Sequence, residues 1–185
     1  MDKVPIYITW LEDKDGKLEP EISLTADDFI DFESDIIEEI QLFKKEYNSL
    51  LESVSVEKLK QAAKSRNLKR YWSMCKKLAQ FNEKMEAKFV IMNMKEAYMK
   101  DLGLSTRGVR NCLDFVRWFK RKDVLDEKLP FWSYSNLAER ATNLTKLGLF
   151  KKEIEFLINA AKDGSLPTEK DYRIRLNEIV SGGIC

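Results

Sequence analysis

Arg107, Arg110, Arg117 and Arg121 follow one another at spacings of three, seven and four residues, with Asn111 set among them. At roughly 100° per residue of helix, these arginines and Asp114 fall on one side. Val109, Cys112, Leu113, Val116 and Phe119 fall on the other. Arginine pairs in bidentate fashion with a guanine edge, asparagine with an adenine edge, and arginine also grips phosphate. Such a helix can read double-stranded DNA. Asp114 could hold two arginines in fixed rotamers or accept from a cytosine amine. Trp118 and Asn111 border the stripe, and the tryptophan either serves the interface or tucks against the next helix. Lys69, Arg70, Lys76 and Lys77 would add phosphate contacts. The plain alternative is a solvated charged face.

Other chemistries find less in the chain. Histidine is absent, which removes the commonest general base and the commonest neutral metal ligand together. Asp27 with Asp31, and Asp35 with Glu39, stand one helical turn apart and could hold a divalent cation. Without a lysine and a strand in a nuclease arrangement, they read as helix-surface acid. Glu19 and Glu21 near Lys17 suggest a metal nuclease only faintly. No phosphate loop, nucleophile elbow or dinucleotide fingerprint is present. Cys75, Cys112 and Cys185 lie far apart and read as two small buried residues and a loose thiol. The expectation is a non-catalytic protein with no cofactor and no metal.

The arginine stripe must be held by its neighbours. Asp101-Leu-Gly-Leu-Ser105 separates it from an apolar segment, with Gly103 able to end one helix in a left-handed cap and Ser105 able to start the next. A helix, a short turn with glycine and a second capped helix form the sequence pattern of a helix-turn-helix. Upstream, a short basic helix is expected over 55–66 and another over 68–81, with Leu68, Tyr71, Trp72, Cys75, Leu78 and Ala79 as its apolar stripe. A nearly all-apolar helix is expected over 83–101. Downstream, helices are expected near 134–145, 150–162 and 169–180, with Ser133 and Thr168 as N-caps and Gly148 and Gly164 as breaks. Residues 4–24 alternate as a β-hairpin, in which Pro20 confines the second strand to an edge. The expected fold is mainly α, a multi-helix bundle with a helix-turn-helix-like core and a small N-terminal β-hairpin.

Charge divides the chain. Residues 1–52 carry 15 Asp and Glu against 5 Lys, whereas 53–185 carry 27 Lys and Arg against 16 Asp and Glu. This predicts an acidic segment, 1–54, and a basic helical domain, 55–185, suited to a polyanion; the two could also simply attract each other. The acidic segment should hold a long helix over 26–52. Phe29, Phe32, Ile36, Ile40, Phe43, Tyr47 and Leu50 make a seam along it. The seam either packs on the body or pairs with a second copy, with Phe29, Ile36, Ile40, Phe43 and Tyr47 as a homodimer interface. An assembly subunit using that helix is therefore the rival to DNA binding. No apolar run is long enough to span a bilayer, so no membrane partner is expected. The first residues lack the pattern of a secretory signal, which makes the cytoplasm the expected compartment.

The run from Tyr71-Trp72, through Met94-Lys-Glu-Ala-Tyr98 and Gly103-Leu-Ser-Thr-Arg107, to Phe131-Trp-Ser-Tyr-Ser-Asn-Leu137 resembles the helical N-terminal domain of YhcG-type proteins. The run Phe150–Ala161, Gly164-Ser-Leu-Pro-Thr168 and Tyr172–Ile179 is similar to the tail of ParB-like helix-turn-helix domains. The similarity spans about residues 68–180. It implies a DNA-binding helical module from mobile-element or defence contexts, and it argues nothing for cleavage. Tyr134 stands where the YhcG-type pattern tends to have histidine.

Overall fold

The computed structural model describes residues 4–12, 14, 18–24, 34–120 and 129–182. The protein is mainly α, with a small three-stranded sheet at its N-terminal end. In chain order the elements are β1 (Val4–Glu12), β2 (Leu18–Leu24), α1 (Ser34–Ser53), α2 (Val56–Lys64), α3 (Leu68–Glu86) and β3 (Phe89–Ile91). There follow α4 (Met94–Leu102), α5 (Thr106–Trp118), α6 (Phe131–Lys146), α7 (Phe150–Lys162) and α8 (Glu169–Val180). They form two compact units, one of residues 1–59 with 76–109 and the other of 60–75 with 110–185. This differs from the division at residue 54 expected from charge. The physical reason is strand pairing, because β3 joins the N-terminal sheet and draws its flanking chain with it.

The first unit is organised by the sheet, in the order β2-β1-β3. β1 and β2 form the expected antiparallel hairpin, with Ile6 opposite Leu24 and Trp10 opposite Pro20. Pro20 sits on an outer strand, where its missing N–H costs no ladder bond. β3 pairs parallel to β1, with Val4 opposite Phe89 and Ile6 opposite Ile91. The continuous helix expected over 83–101 is therefore not formed. Phe-Val-Ile is a good strand former, and β1 offers it a free edge. Asn93 extends that ladder with its side chain. It accepts from the Ile8 N–H at 2.9 Å and donates to the Ile8 carbonyl at 2.6 Å, standing in for one more strand residue.

Alternation along β1 buries Ile6 and Ile8 and exposes Tyr7 and Leu11. Phe43 and Tyr47 of α1 belong to the same buried core, and the Phe43 ring lies 5.5 Å from those of Phe81 and Phe89. Asp101 fixes the rim, accepting from Trp10 Nε1 at 2.6 Å and from the Tyr47 hydroxyl at 2.7 Å. The acidic helix finds its counter-charges within this unit: Lys84 meets Glu46 at 2.7 Å and Lys88 meets Glu39 at 2.6 Å. Attraction between acidic and basic segments is thus realised, although pairs this exposed add only ~0–1 kcal/mol each.

The second unit is wholly helical among its described residues. α6 packs against both α7 and α8. Gly148 and Gly164 take left-handed φ values of 70° and 69°, closing the two turns as expected. Thr168 caps α8, accepting from the Asp171 N–H at 3.2 Å. Ser133 does not cap α6, which begins two residues earlier, after Pro130, whose fixed φ suits a helix entry. Ser133 instead lies buried inside the first turn, its hydroxyl without a hydrogen bond. Tyr71, Cys75, Cys112, Phe115, Phe119 and Tyr134 are central to the core. Burial pushes the Cys75 thiol well above its ordinary range, which keeps it protonated and inert, as expected of a core residue.

Buried phenols give both units an alkaline limit. Burial first, and then the Asp101 carboxylate at Tyr47 and the Glu86 carboxylate at Tyr98, raise both above the ordinary range. Burial does the same to Tyr71 and Tyr172. An unfolded tyrosine releases its proton near pH ~10 while the folded one keeps it, so stability is complete below that pH and falls above it. Each raised tyrosine should cost about 1.4 kcal/mol per pH unit beyond that point. Urea midpoints should therefore hold steady up to about pH 9 and drop steeply by about pH 11, together with a cooperative rise in tyrosinate absorbance.

Candidate nucleic-acid interface

The local geometry that presents the arginine stripe follows from its two punctuating residues. Gly103 adopts φ 67° at the end of α4, and a Cβ there would meet Val56 Cγ1 at 2.7 Å, so both backbone and space require glycine. The Leu104 N–H then closes on the Tyr98 carbonyl at 3.0 Å. Ser105 starts α5 as expected: its carbonyl accepts from the Val109 N–H at 2.9 Å and its Oγ from the Gly108 N–H at 3.2 Å. α4 itself packs on β1 in the first unit.

Along α5 the buried side is set by Cys112 and Phe115, and it continues to Phe119. Val109, Leu113 and Val116 are only half-buried. The core face is thus turned by roughly one residue step from the expected one. The face expected from spacing omits Phe115, whose ring lies 5.0 Å from Tyr71 and 5.5 Å from Phe119. This rotation sorts the stripe. Arg110 and Arg117, two turns apart, stand exposed on the side away from Phe115. Arg107 is also exposed, in the first turn of the helix. Asn111 and Asp114 turn inward, where both are half-buried at a cavity lined by Tyr71, Phe115, Phe131 and Ser135. Asp114 makes no ion pair with Arg110 or Arg117, so it does not lock them. Arg121 lies outside the described residues.

Trp118 resolves toward packing, its ring 5.4 Å from that of Phe150, with the Arg117 guanidinium over it at 5.7 Å from the ring centroid. Of the supporting cations, Lys69 and Arg70 are exposed on the first turn of α3, in the second unit. Lys76 and Lys77 belong to the first unit, where Lys77 donates to Ser53 Oγ at 2.8 Å. Trp72, a neighbour of Lys69 and Arg70 on α3, anchors through Nε1 to the Phe119 carbonyl at 2.7 Å.

Of the two courses open to the α1 seam, Phe43 and Tyr47 take the first, packing on the body of their own unit. Phe43 and Tyr47 are fully buried in their own unit and are not available to a second copy. The sheet supplies the reason: its inner face needs an apolar cover, and α1 provides it. Ile40 is half-buried, the Ile36 side chain is outside the described set, and Phe29 lies outside it entirely. So do Asp27 and Asp31 and the Asp35 side chain. Among the described residues no group of three or more acidic or cysteine side chains is placed to hold a metal. None of the described helices is long and apolar enough to cross a membrane.

Comparison of the chain with protein families, with curated proteins and with solved structures finds no match.

Proposed function

We propose that the protein binds double-stranded DNA as a non-catalytic, helix-turn-helix type factor, with α5 as the helix that meets the duplex. The observation that carries this reading is the pair Arg110 and Arg117. They are exposed two turns apart on a helix whose opposite side is anchored in a core, and neither is held by a carboxylate among the described residues. Guanidiniums that no carboxylate holds lose little freedom, on a rigid helix, when they meet phosphate or a guanine edge. Arg107 extends the same helix, and Lys69 and Arg70 add exposed positive charge in the unit that carries Arg110 and Arg117. The rival reading, assembly through the α1 seam, loses Phe43 and Tyr47 to the core.

Anisotropy titration with mixed duplex fragments at two salt concentrations tests the proposal. Affinity should fall steeply as salt rises. Changing Arg110 and Arg117 together to alanine should weaken binding at least ~10-fold, with a shallower salt slope and unaltered helical circular dichroism. Equal affinity for the double variant and the parent would reject α5 as the DNA-contacting helix.

A further inference from the structure

The inward-turned residues of α5 line a site of different chemistry from its arginine face. A cavity of about 130 Å³ lies among α3, α5 and α6 within the second unit. Its walls are the rings of Tyr71, Phe115 and Phe131. Tyr71 sits edge-on to Phe131 at 4.7 Å and to Phe115 at 5.0 Å, and Phe115 stacks on Phe131 at 6.1 Å. Its polar lining consists of Asn111, Asp114, Ser135 and Glu139, with Ala138 between the last two. Among the described residues no lysine or arginine lines it. Glu139 is engaged with Arg140, Oε2 to Nη1 at 3.3 Å. The Asp114 carboxylate, the Asn111 amide and the Ser135 hydroxyl have no hydrogen-bond or ion-pair partner among the described residues.

A half-buried carboxylate against aromatic walls, without a counter-charge among the described residues, is an unusual thing for a core to retain. The same set suits a positive guest. Ring faces attract a cation, a carboxylate neutralises it, and an amide oxygen and a hydroxyl accept from its N–H groups. Size narrows the guest further. Sites for whole small-molecule ligands run from roughly 300 Å³ upward, so this one has room for a head group and a short stem only. We propose that this cavity is a binding site for a small organic cation, a guanidinium or alkylammonium group, held by Asp114 and by Asn111 and Ser135 against the three rings. The group arrives either as a free small molecule or as the side chain of a basic peptide. The proposal uses neither Arg110 nor Arg117, so it stands or falls separately from DNA binding.

Amide NMR titration of the full chain tests it, with ethylguanidinium, its neutral isostere ethylurea, and a blocked Gly-Arg-Gly peptide as probes. Ethylguanidinium should give saturable shifts centred on Asn111 and Ser135, with millimolar affinity as befits so few atoms. Asp114→Asn should weaken it at least ~10-fold, the loss of one desolvated charge pair. Ala138→Leu, which fills the cavity with apolar atoms and spares every polar group, should abolish binding even if the first variant is poorly folded. Tighter binding of the peptide than of ethylguanidinium identifies a protein side chain as the guest, and equal binding identifies a free cation. Absence of saturable shifts, equal binding of ethylurea, or full binding by Ala138→Leu would overturn the proposal.

Discussion

Phe43→Ala is expected to lower the unfolding free energy by about 3–5 kcal/mol and to leave the mass measured by light scattering unchanged. The ring is fully buried and meets Phe81 and Phe89 at 5.5 Å each and Tyr47 at 5.9 Å. Alanine removes its transfer free energy and leaves a hole that three aromatic neighbours, fixed on α1, α3 and β3, cannot collapse to fill. Urea denaturation reads the first effect. The second separates core from interface: a change of mass with little loss of stability would restore the seam as a contact between copies. Tyr47→Phe is the milder companion. It keeps the ring but leaves Asp101 with one fewer donor, and should cost about 1.5–3 kcal/mol, as for a hydrogen bond to a charged group.

The second large effect concerns the only carboxylate among the described residues that is buried in the second unit. Glu153 on α7 is 5% exposed and is gripped in two places by Arg175 on α8, at 2.8 Å and 3.2 Å. Arg175 also lies 4.3 Å over the Phe156 ring. The Arg175 side chain is 39% exposed, so it gives up less solvation than its partner. Arg175→Ala strands a buried charge. It should cost about 2–4 kcal/mol, below the top of the range for breaking a wholly buried pair because water reaches the remaining carboxylate. Replacing both members, Glu153→Met with Arg175→Met, should recover most of that loss, since neither charge then needs a partner. A double variant as unstable as Arg175→Ala would show that packing around Phe156 and Tyr172, not the uncompensated charge, sets the effect.

These two cases show where sequence reasoning holds. Glu153 sits within an amphipathic helix over 150–162, and its turns end at Gly148 and Gly164, both legible from residue type alone. Nothing in spacing marks Glu153 as buried, because its partner is 22 residues away on another helix. The α4–α5 turn was legible for the same local reason: Gly103 must take a left-handed φ and Ser105 must satisfy free helix N–H groups. The strand β3 was not. Phe89–Ile91 is three residues inside an apolar run, where helical and strand periods cannot be told apart. Its pairing partner, β1, lies more than 80 residues earlier.

The arginine face divides along the same line. That Arg107, Arg110 and Arg117 would share a helix opposite an apolar side follows from their spacing and needs no tertiary partner. How that helix is rotated in its core does need one. Phe115 won the inward position because Tyr71, Phe119 and Phe131 surround it with rings, and that choice carried Asn111 and Asp114 off the exposed stripe and into a cavity. The sequence by itself therefore determined the mainly helical class, the hairpin, most helix ends and the presence of a cationic helix, all of which depend on neighbours within a few residues. The tertiary structure alone decided the parallel third strand, the burial of Phe43 and Tyr47, the division into two units and the sorting of α5. Each of those is a competition among distant apolar surfaces for the same partner, and only the folded chain shows which surface wins.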